Sequence, residues 1–481
     1  MSVDDKTDSS GVSRRGFLRG SALAAGGLAV SGASQAFLAH SATAAPGGRG
    51  VNRQQQNQAV GYGELSGRPP VNSDPELGRQ PLLALPEGFS YAVFGVEGTE
   101  MSDGNETPKA HDGMAAFALP NGNVRLIRNH EDRNSAGTSG LDGSADAPRY
   151  DGLGPGGTTS LEVRPDGNRE LVRDFVSLQG TIVNCAGGPT PRGSWLSCEE
   201  TTAGREQGWQ RSHGYNFEVP ASATDEIEPV ALTAMGRFVH EAIAVDPDTD
   251  IIYETEDRGT SGFYRFIPDS PESLADGGRL QLLKIRGRDN YDTRTGQPVG
   301  RPMPVEWVDI DDPDPATAGA NPLAVYEQGA AQGGAIFSRL EGCWYGEGSV
   351  FFNSTDGGEA EKGQVWEYRP RGNSGGQLIL IYESPGEVEL DNPDNISVSP
   401  RGGIVLCEDG DNESFMRGLT QRGQVFDFAL NLFNEREWAG ATFSPNGETL
   451  FVNIQGDTSK PGDGNLGRTF AIWGPWEDGA L

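Results

Sequence analysis

Ile396-Ser397-Val398-Ser399-Pro400-Arg401-Gly402-Gly403-Ile404-Val405-Leu406-Cys407-Glu408-Asp409 is an apolar strand, a Pro/Gly turn, a second apolar strand and an acidic end. The same unit recurs at 115–132, which closes on Asn129-His130-Glu131-Asp132, and at 187–200, which closes on Cys198-Glu199-Glu200. It recurs again at 242–257, closing on Glu254-Thr255-Glu256-Asp257, at 343–356, and at 441–455 with the turn Ser444-Pro445-Asn446-Gly447. Further strands at 262–266, 363–368 and 423–428 each follow an acidic end. Six irregularly spaced copies of strand, turn, strand and acidic loop predict an all-β fold, a six-bladed β-propeller with inserted loops and short helices.

Acids also stand just before the first strand of a unit: Glu241, Glu341, Asp391, Asp394 and Glu437. In a propeller, equivalent positions lie at equivalent radii, so acids repeated in register converge on the axis. Clustered carboxylates raise one another's pKa unless cations neutralise them. Oxygen-only ligands favour calcium or magnesium. The spacing therefore predicts a metal centre at the channel, with Glu408 among its acids. Cys185, in the Gly-rich bend Asn184-Cys185-Ala186-Gly187-Gly188, would add a thiolate and select a softer metal such as iron or zinc. The alternative for Cys185 is a disulfide to Cys198 or a small buried hydrophobe.

Composition narrows the function. The 481 residues include 69 Gly and 31 Pro, which argues for many turns and few long helices. A net charge of −31 with no basic stripe disfavours nucleic acid as a partner. It suits either a high-salt habitat or a calcium-rich site. No G-x-S-x-G nucleophile motif and no P-loop is present. The four cysteines, Cys185, Cys198, Cys343 and Cys407, permit two disulfides in an exported chain. Folding before export equally permits free or metal-bound thiols.

The export reading comes from the N-terminus. Ser13-Arg14-Arg15-Gly16-Phe17-Leu18 precedes a mildly apolar Ala/Gly-rich stretch at 21–38 and the small-x-small site Ala42-Thr43-Ala44. That order is a twin-arginine signal, read by the twin-arginine export machinery. Residues 1–45 are then the signal peptide, 46–80 a flexible lead-in, and 81–481 one propeller domain. The mature chain carries no transmembrane anchor and is expected in the periplasm or outside the cell.

Several of these motifs resemble the PhoX-type alkaline phosphatases. They are Asn129-His130-Glu131, Gly157-Thr158-Thr159-Ser160, Asn184-Cys185-Ala186-Gly187-Gly188 with Cys198-Glu199-Glu200, Gly236-Arg237-Phe238-Val239-His240-Glu241, and Phe451-Val452-Asn453-Ile454-Gln455. The likeness runs from about residue 82 to residue 476. It implies a six-bladed propeller with iron and calcium at the channel mouth, held by a cysteine and several glutamates. Cys185 and Glu200 would be iron-side ligands, Glu241 and Glu131 further ligands, with Asn129 nearby. Two departures stand out. Asn392-Pro393-Asp394 replaces an Arg-Pro-Glu type motif, so Asn392 stands where an arginine is expected to contact phosphate. Gly456-Asp457-Thr458 replaces an expected His-Pro-Gly.

The implied activity is metal-assisted hydrolysis of small phosphorylated substrates, phosphate monoesters of the alkaline phosphatase type. Arg258, Arg128 or Arg401 could replace the missing arginine as a clamp on the phosphoryl group. Two alternatives are a calcium-dependent lactonase or esterase propeller, which would need no thiolate ligand, and a non-catalytic binding propeller using metal only for structure.

Overall fold

Each of the six sequence units folds as an antiparallel hairpin in the computed structural model, which describes residues 60–410, 413–459 and 465–481. The expected export signal and the start of the expected lead-in fall within residues 1–59, outside the described residues. The first strands of the six hairpins are His111–Ala118, Asn184–Pro189, His240–Val245, Leu340–Gly346, Pro393–Val398 and Trp438–Phe443. Each of these strands packs on the next, and the sixth returns to the first, so they line a closed ring. The second strands, Val124–His130, Ser194–Glu199, Ile252–Glu256, Ser349–Ser354, Ile404–Glu408 and Leu450–Ile454, lie outside them. The units are numbered here as blades one to six. The fold is an all-β propeller.

Hydrogen bonding joins the blades into five sheets rather than six. Strand Met303–Asp309 is the reason. It pairs with Gly278–Ile285 of blade three on one side and with Gly376–Glu383 of blade four on the other, fusing two blades into nine strands. Blade two has three strands only, Asn216–Pro220 being its last. In blade five, Phe415–Leu419 takes the third position. The segment expected there, near residue 423, instead forms the fourth strand, Val425–Asn431.

The apolar cores lie between blades, because each strand buries both faces. Ile127 and Trp195 share one cluster, Leu196 and Ile243 the next, and Phe263 and Phe352 the third. Phe351 meets Ile396, Phe428 meets Trp438, and Phe451 meets Leu126 to complete the circle. An edge left open in such a circle would expose a row of unpaired amides. Ser90–Phe94 removes it by pairing with Arg468–Trp473, so an N-terminal strand completes the C-terminal blade.

Residues 60–80, expected to be flexible, are instead packed on this closure. The Tyr62 hydroxyl donates to the carbonyls of Trp476 and Leu481 at 3.0 and 2.8 Å. Its ring stands edge-on to Phe89 and Trp476. Ser66–Arg68 pairs with Leu83–Leu85, and Asp74 accepts from Arg468 Nε at 2.7 Å. The Gln/Pro/Gly composition hid this, because a few anchoring side chains do the packing. Among the described residues, no helix is long and apolar enough to cross a membrane.

Candidate metal centre

The pairing of the first hairpin slips at the same place in every blade. The slips fall between His111 and Met114, Asn184 and Gly187, His240 and Ile243, Leu340 and Cys343, Pro393 and Ile396, and Ala439 and Thr442. A β-bulge bends its strand and re-aims a side chain. The first residue inside the six bulges is Asp112, Cys185, Glu241, Glu341, Asp394 and, in blade six, Gly440. The next residue is small wherever space is short. A Cβ on Gly113 would lie 2.5 Å from the Ala186 Cα, and one on Gly342 2.5 Å from the Ile396 nitrogen. These small residues, with Trp195 and Trp344, line what remains of the channel beside the bulges.

A second set of side chains follows the last paired residue of each second strand. It comprises Glu131, Glu200, Asp257, Thr355, Asp409 and Gln455. The two sets meet. Ligand atoms of Asp112, Glu131 and Cys185 lie within 4.8 Å of one another, as do those of Cys185, Glu200 and Glu241. So do those of Glu241, Glu341 and Asp394, and those of Asp394, Asp409 and Glu437. Cys185, Glu241 and Asp394 each belong to two groups, so the four groups form one continuous arc. Between blades six and one the arc is closed by an amide. Gln455 Nε2 donates to Asp112 Oδ2 and to Glu131 Oε2, both at 2.8 Å.

The electrostatics of the arc call for cations. Two unit charges about 5 Å apart repel by about 3 kcal/mol at an effective dielectric of about 20. Burial pushes the carboxyls of Asp112, Glu200, Glu241, Glu341 and Glu437 far above their usual range, and neighbouring carboxylates push them further. Asp394 is raised to about 7, by burial first and Asp409 next. Burial, with Asp112 and Glu241 beside it, likewise pushes the Cys185 thiol up. The thiol donates to Glu241 Oε1 at 3.1 Å, while the buried Glu241 Oε2 has no hydrogen-bond partner among the described residues. Buried carboxylates at this density, an orphaned oxygen and one thiol fit a bound metal cluster. The carboxylates suit hard cations and the thiol a softer one.

Two arginines face the arc. Arg133 bridges Glu131 and Glu200. Arg339 pairs with Asp257 at 3.0 Å and with Glu341 at 2.8 Å. Both are partly exposed, so their guanidinium groups border solvent and the carboxylates together.

The residues expected from sequence divide clearly. Cys185, Glu200, Glu241, Glu131, Asp394, Glu437 and Glu341 come together in the arc. Glu408 does not. It is buried one residue short of the mouth, where it accepts from Arg417 Nε at 2.7 Å and from the amide of Asp391 at 2.9 Å; its neighbour Asp409 joins the arc instead. Asn129 offers no free oxygen. Its Nδ2 donates to the carbonyls of Cys185 and Ala186, and its Oδ1 accepts from Trp195 Nε1 and Ser197 Oγ. Arg258 is exposed beside Asp257. Asn392, at φ +49°, donates to the Thr355 carbonyl and accepts from Lys362 Nζ, so it ties two loops together. Arg128 is buried against Gly95, His111 and Thr469, and Arg401 reaches the Gly447 carbonyl from the hairpin turn far from the acids. His130 and His240 bond to backbone carbonyls in the core. All four cysteines are free and buried.

Asp112, Asp257, Asp409, Arg133 and Arg339 were not expected. His111-Asp112-Gly113 parallels His240-Glu241-Ala242, which is the signal that finds Asp112. The arginines flank acids already singled out, one two residues after Glu131 and the other two before Glu341.

A family match, described as alkaline phosphatase PhoX, spans residues 67–458. Among solved structures, Pseudomonas fluorescens PhoX in complex with vanadate, a transition state analogue, is similar at 18% identity and a TM-score of 0.63, covering 87% of this chain and 98% of that one. A gluconolactonase from Xanthomonas campestris matches at 12% identity and a TM-score of 0.41, covering 86% of this chain and 98% of that one. No curated protein sequence matches significantly. On the family match over most of its length, this chain belongs to the alkaline phosphatase PhoX family and is a metal-dependent phosphatase.

Proposed function

We propose that the chain is an exported enzyme that hydrolyses small phosphate monoesters over a polynuclear calcium and iron centre at the channel mouth. The observation that carries this reading is the continuous arc, in which Cys185, Glu241 and Asp394 each belong to two adjoining ligand groups. Iron would be held by Cys185 with Asp112, Glu131 and Glu200, because a thiolate selects the softer metal. Calcium would be held by Glu241, Glu341, Asp394, Asp409 and Glu437, an oxygen-only set. Bound there, the cations supply Lewis-acid charge to the phosphoryl oxygens.

The protein's own contribution is positioning. Bulges present the ligands, and the close-packed Gly113, Ala186 and Gly342 narrow the channel beside them. Arg133 and Arg339 supply fork-shaped donors at the rim, suited to phosphoryl oxygens entering among carboxylates. They take the part expected of Arg258, with Arg258 itself exposed nearby. The loop-tying bonds of Asn392 argue against a substrate role for it. A single propeller domain, exported by the twin-arginine route into the periplasm or medium after loading metal, goes with this reading.

The test is hydrolysis of p-nitrophenyl phosphate and p-nitrophenyl acetate by the purified mature chain, before and after chelation. Phosphate hydrolysis that is lost on chelation and returns with calcium and ferric iron supports the proposal. Acetate hydrolysis alone would overturn it.

A further inference from the structure

We infer that Asn129, Thr255, Asn353 and Asn453 are positioning residues for the metal ligands, each holding a bulge in place from the neighbouring blade. Asn129, Thr255 and Asn353 occupy one register position, and Asn453 lies one step from it. The first three directly precede the second-strand residue that pairs across the start of the bulge, at His130, Glu256 and Ser354, whereas Asn453 itself pairs there, with Ala439. All four are fully buried. Asn129 of blade one donates to the Cys185 carbonyl of blade two at 3.0 Å. Thr255 Oγ1 of blade three donates to the Glu341 carbonyl of blade four at 2.6 Å. Asn353 of blade four donates to the Asp394 carbonyl of blade five at 2.7 Å, and Asn453 of blade six to the Asp112 carbonyl of blade one at 2.6 Å.

In every case the accepting carbonyl belongs to the ligand residue itself. A bulge removes the bulged residue from its own ladder, so its backbone groups need partners from elsewhere. A buried carbonyl clasped from the next blade fixes the Cα, and with it the direction of the side chain. Three clasps are braced in turn, Thr255 Oγ1 accepting from the Ala242 amide at 3.0 Å. Thr469 Oγ1 donates to Asn453 Oδ1 at 2.7 Å, and Trp195 and Ser197 hold Asn129. The same register in blades two and five holds Cys198 and Cys407, beside the bulges of Glu241 and Gly440. The Glu241 side chain is met instead by the Cys185 thiol, and the Gly440 amide donates to Asn395 Oδ1 at 2.7 Å.

This inference rests on the metal reading of the arc, and the test separates the two. The metal-loaded mature enzyme is transferred into chelator, and calcium release is followed with elemental analysis at each time. Thr255→Val keeps the side-chain shape but cannot clasp Glu341, so calcium leaves about tenfold faster than from the wild type. Thr255→Ser restores the hydroxyl and the wild-type rate. Asn353→Leu behaves as Thr255→Val does. Gln281→Leu, which removes a buried amide bonded to Arg265 and Asp309 on the outer strands, away from the bulges, lowers the melting temperature and leaves release unchanged. Wild-type release from the Thr255 and Asn353 variants, or equal acceleration in Gln281→Leu, overturns the inference. Should Asn353→Leu not fold, the Thr255 pair decides alone. A wild-type protein that holds no metal overturns the metal reading itself.

Discussion

Glu408 and Asp409 are adjacent acids with opposite surroundings, and the difference is testable. Glu408 neutralises the buried guanidinium of Arg417, whereas Asp409 lies past the strand end among the arc's carboxylates. Glu408→Gln should cost about 1–2 kcal/mol, the scale of weakening a charge-assisted hydrogen bond while Arg417 keeps Asp427, with metal content unchanged. Asp409→Asn should lower metal content with little effect on the fold; elemental analysis and thermal melts of both variants check this. Side chains along a strand alternate with period two. The sequence shows two acids at the end of this strand, but which one faces the axis depends on the pairing partner, and that is invisible until the hairpin is built. At the rim, Arg133→Ala and Arg339→Ala should each lower kcat/KM for a phosphate monoester by about 100-fold, the scale of losing one preorganised donor. A steady-state assay with metal content measured in parallel checks it.

At the scale of the element, the hairpin with its bulge is the unit that makes the centre. Gly113→Ala should cost metal binding far more than its one methyl suggests. That methyl would stand 2.5 Å from the Ala186 Cα and drive two ligand-bearing bulges apart. Metal content of the variant, set against its circular dichroism, tests the point. The elements also carry a pH dependence away from the arc. His213 lies between Glu199 at 2.7 Å and Asp151 at 3.4 Å. Burial opposes its charge, but Glu199 and Asp151 together outweigh burial and hold the imidazole above its ordinary value. A raised histidine adds stability that is complete below its unfolded pKa of about 6.5 and fades as pH climbs through the folded value. The stability gap between the wild type and His213→Gln should therefore be larger at pH 6 than at pH 9 in urea melts. The hairpins were legible in the sequence because turn residues sit between apolar runs. The bulges were not, because nothing local marks the two residues that leave the ladder. Asp112 is marked only by its likeness to His240-Glu241, and Asn129, a candidate ligand by sequence, clasps the Cys185 carbonyl instead.

Across the whole molecule, the propeller was legible as six repeats, and the interblade cores follow from strands that are apolar on both faces. Its bridging and closure were not legible. Met303–Asp309 joins two blades through pairings more than 60 residues apart along the chain on one side. Residues 60–80 lack any apolar period and are held by single anchors such as Tyr62. Tyr62→Ala should cost about 3 kcal/mol, as expected for emptying an aromatic contact site, and should lower the melting temperature without changing metal content. The account as a whole stands on the arc being one polynuclear centre with Cys185 at its soft end. The direct measurement is elemental analysis of the purified mature protein beside its Cys185→Ser variant. The account predicts iron and calcium together in the wild type, with iron lost and calcium largely kept in the variant. A wild type holding neither metal, or a variant that keeps its iron, would contradict it.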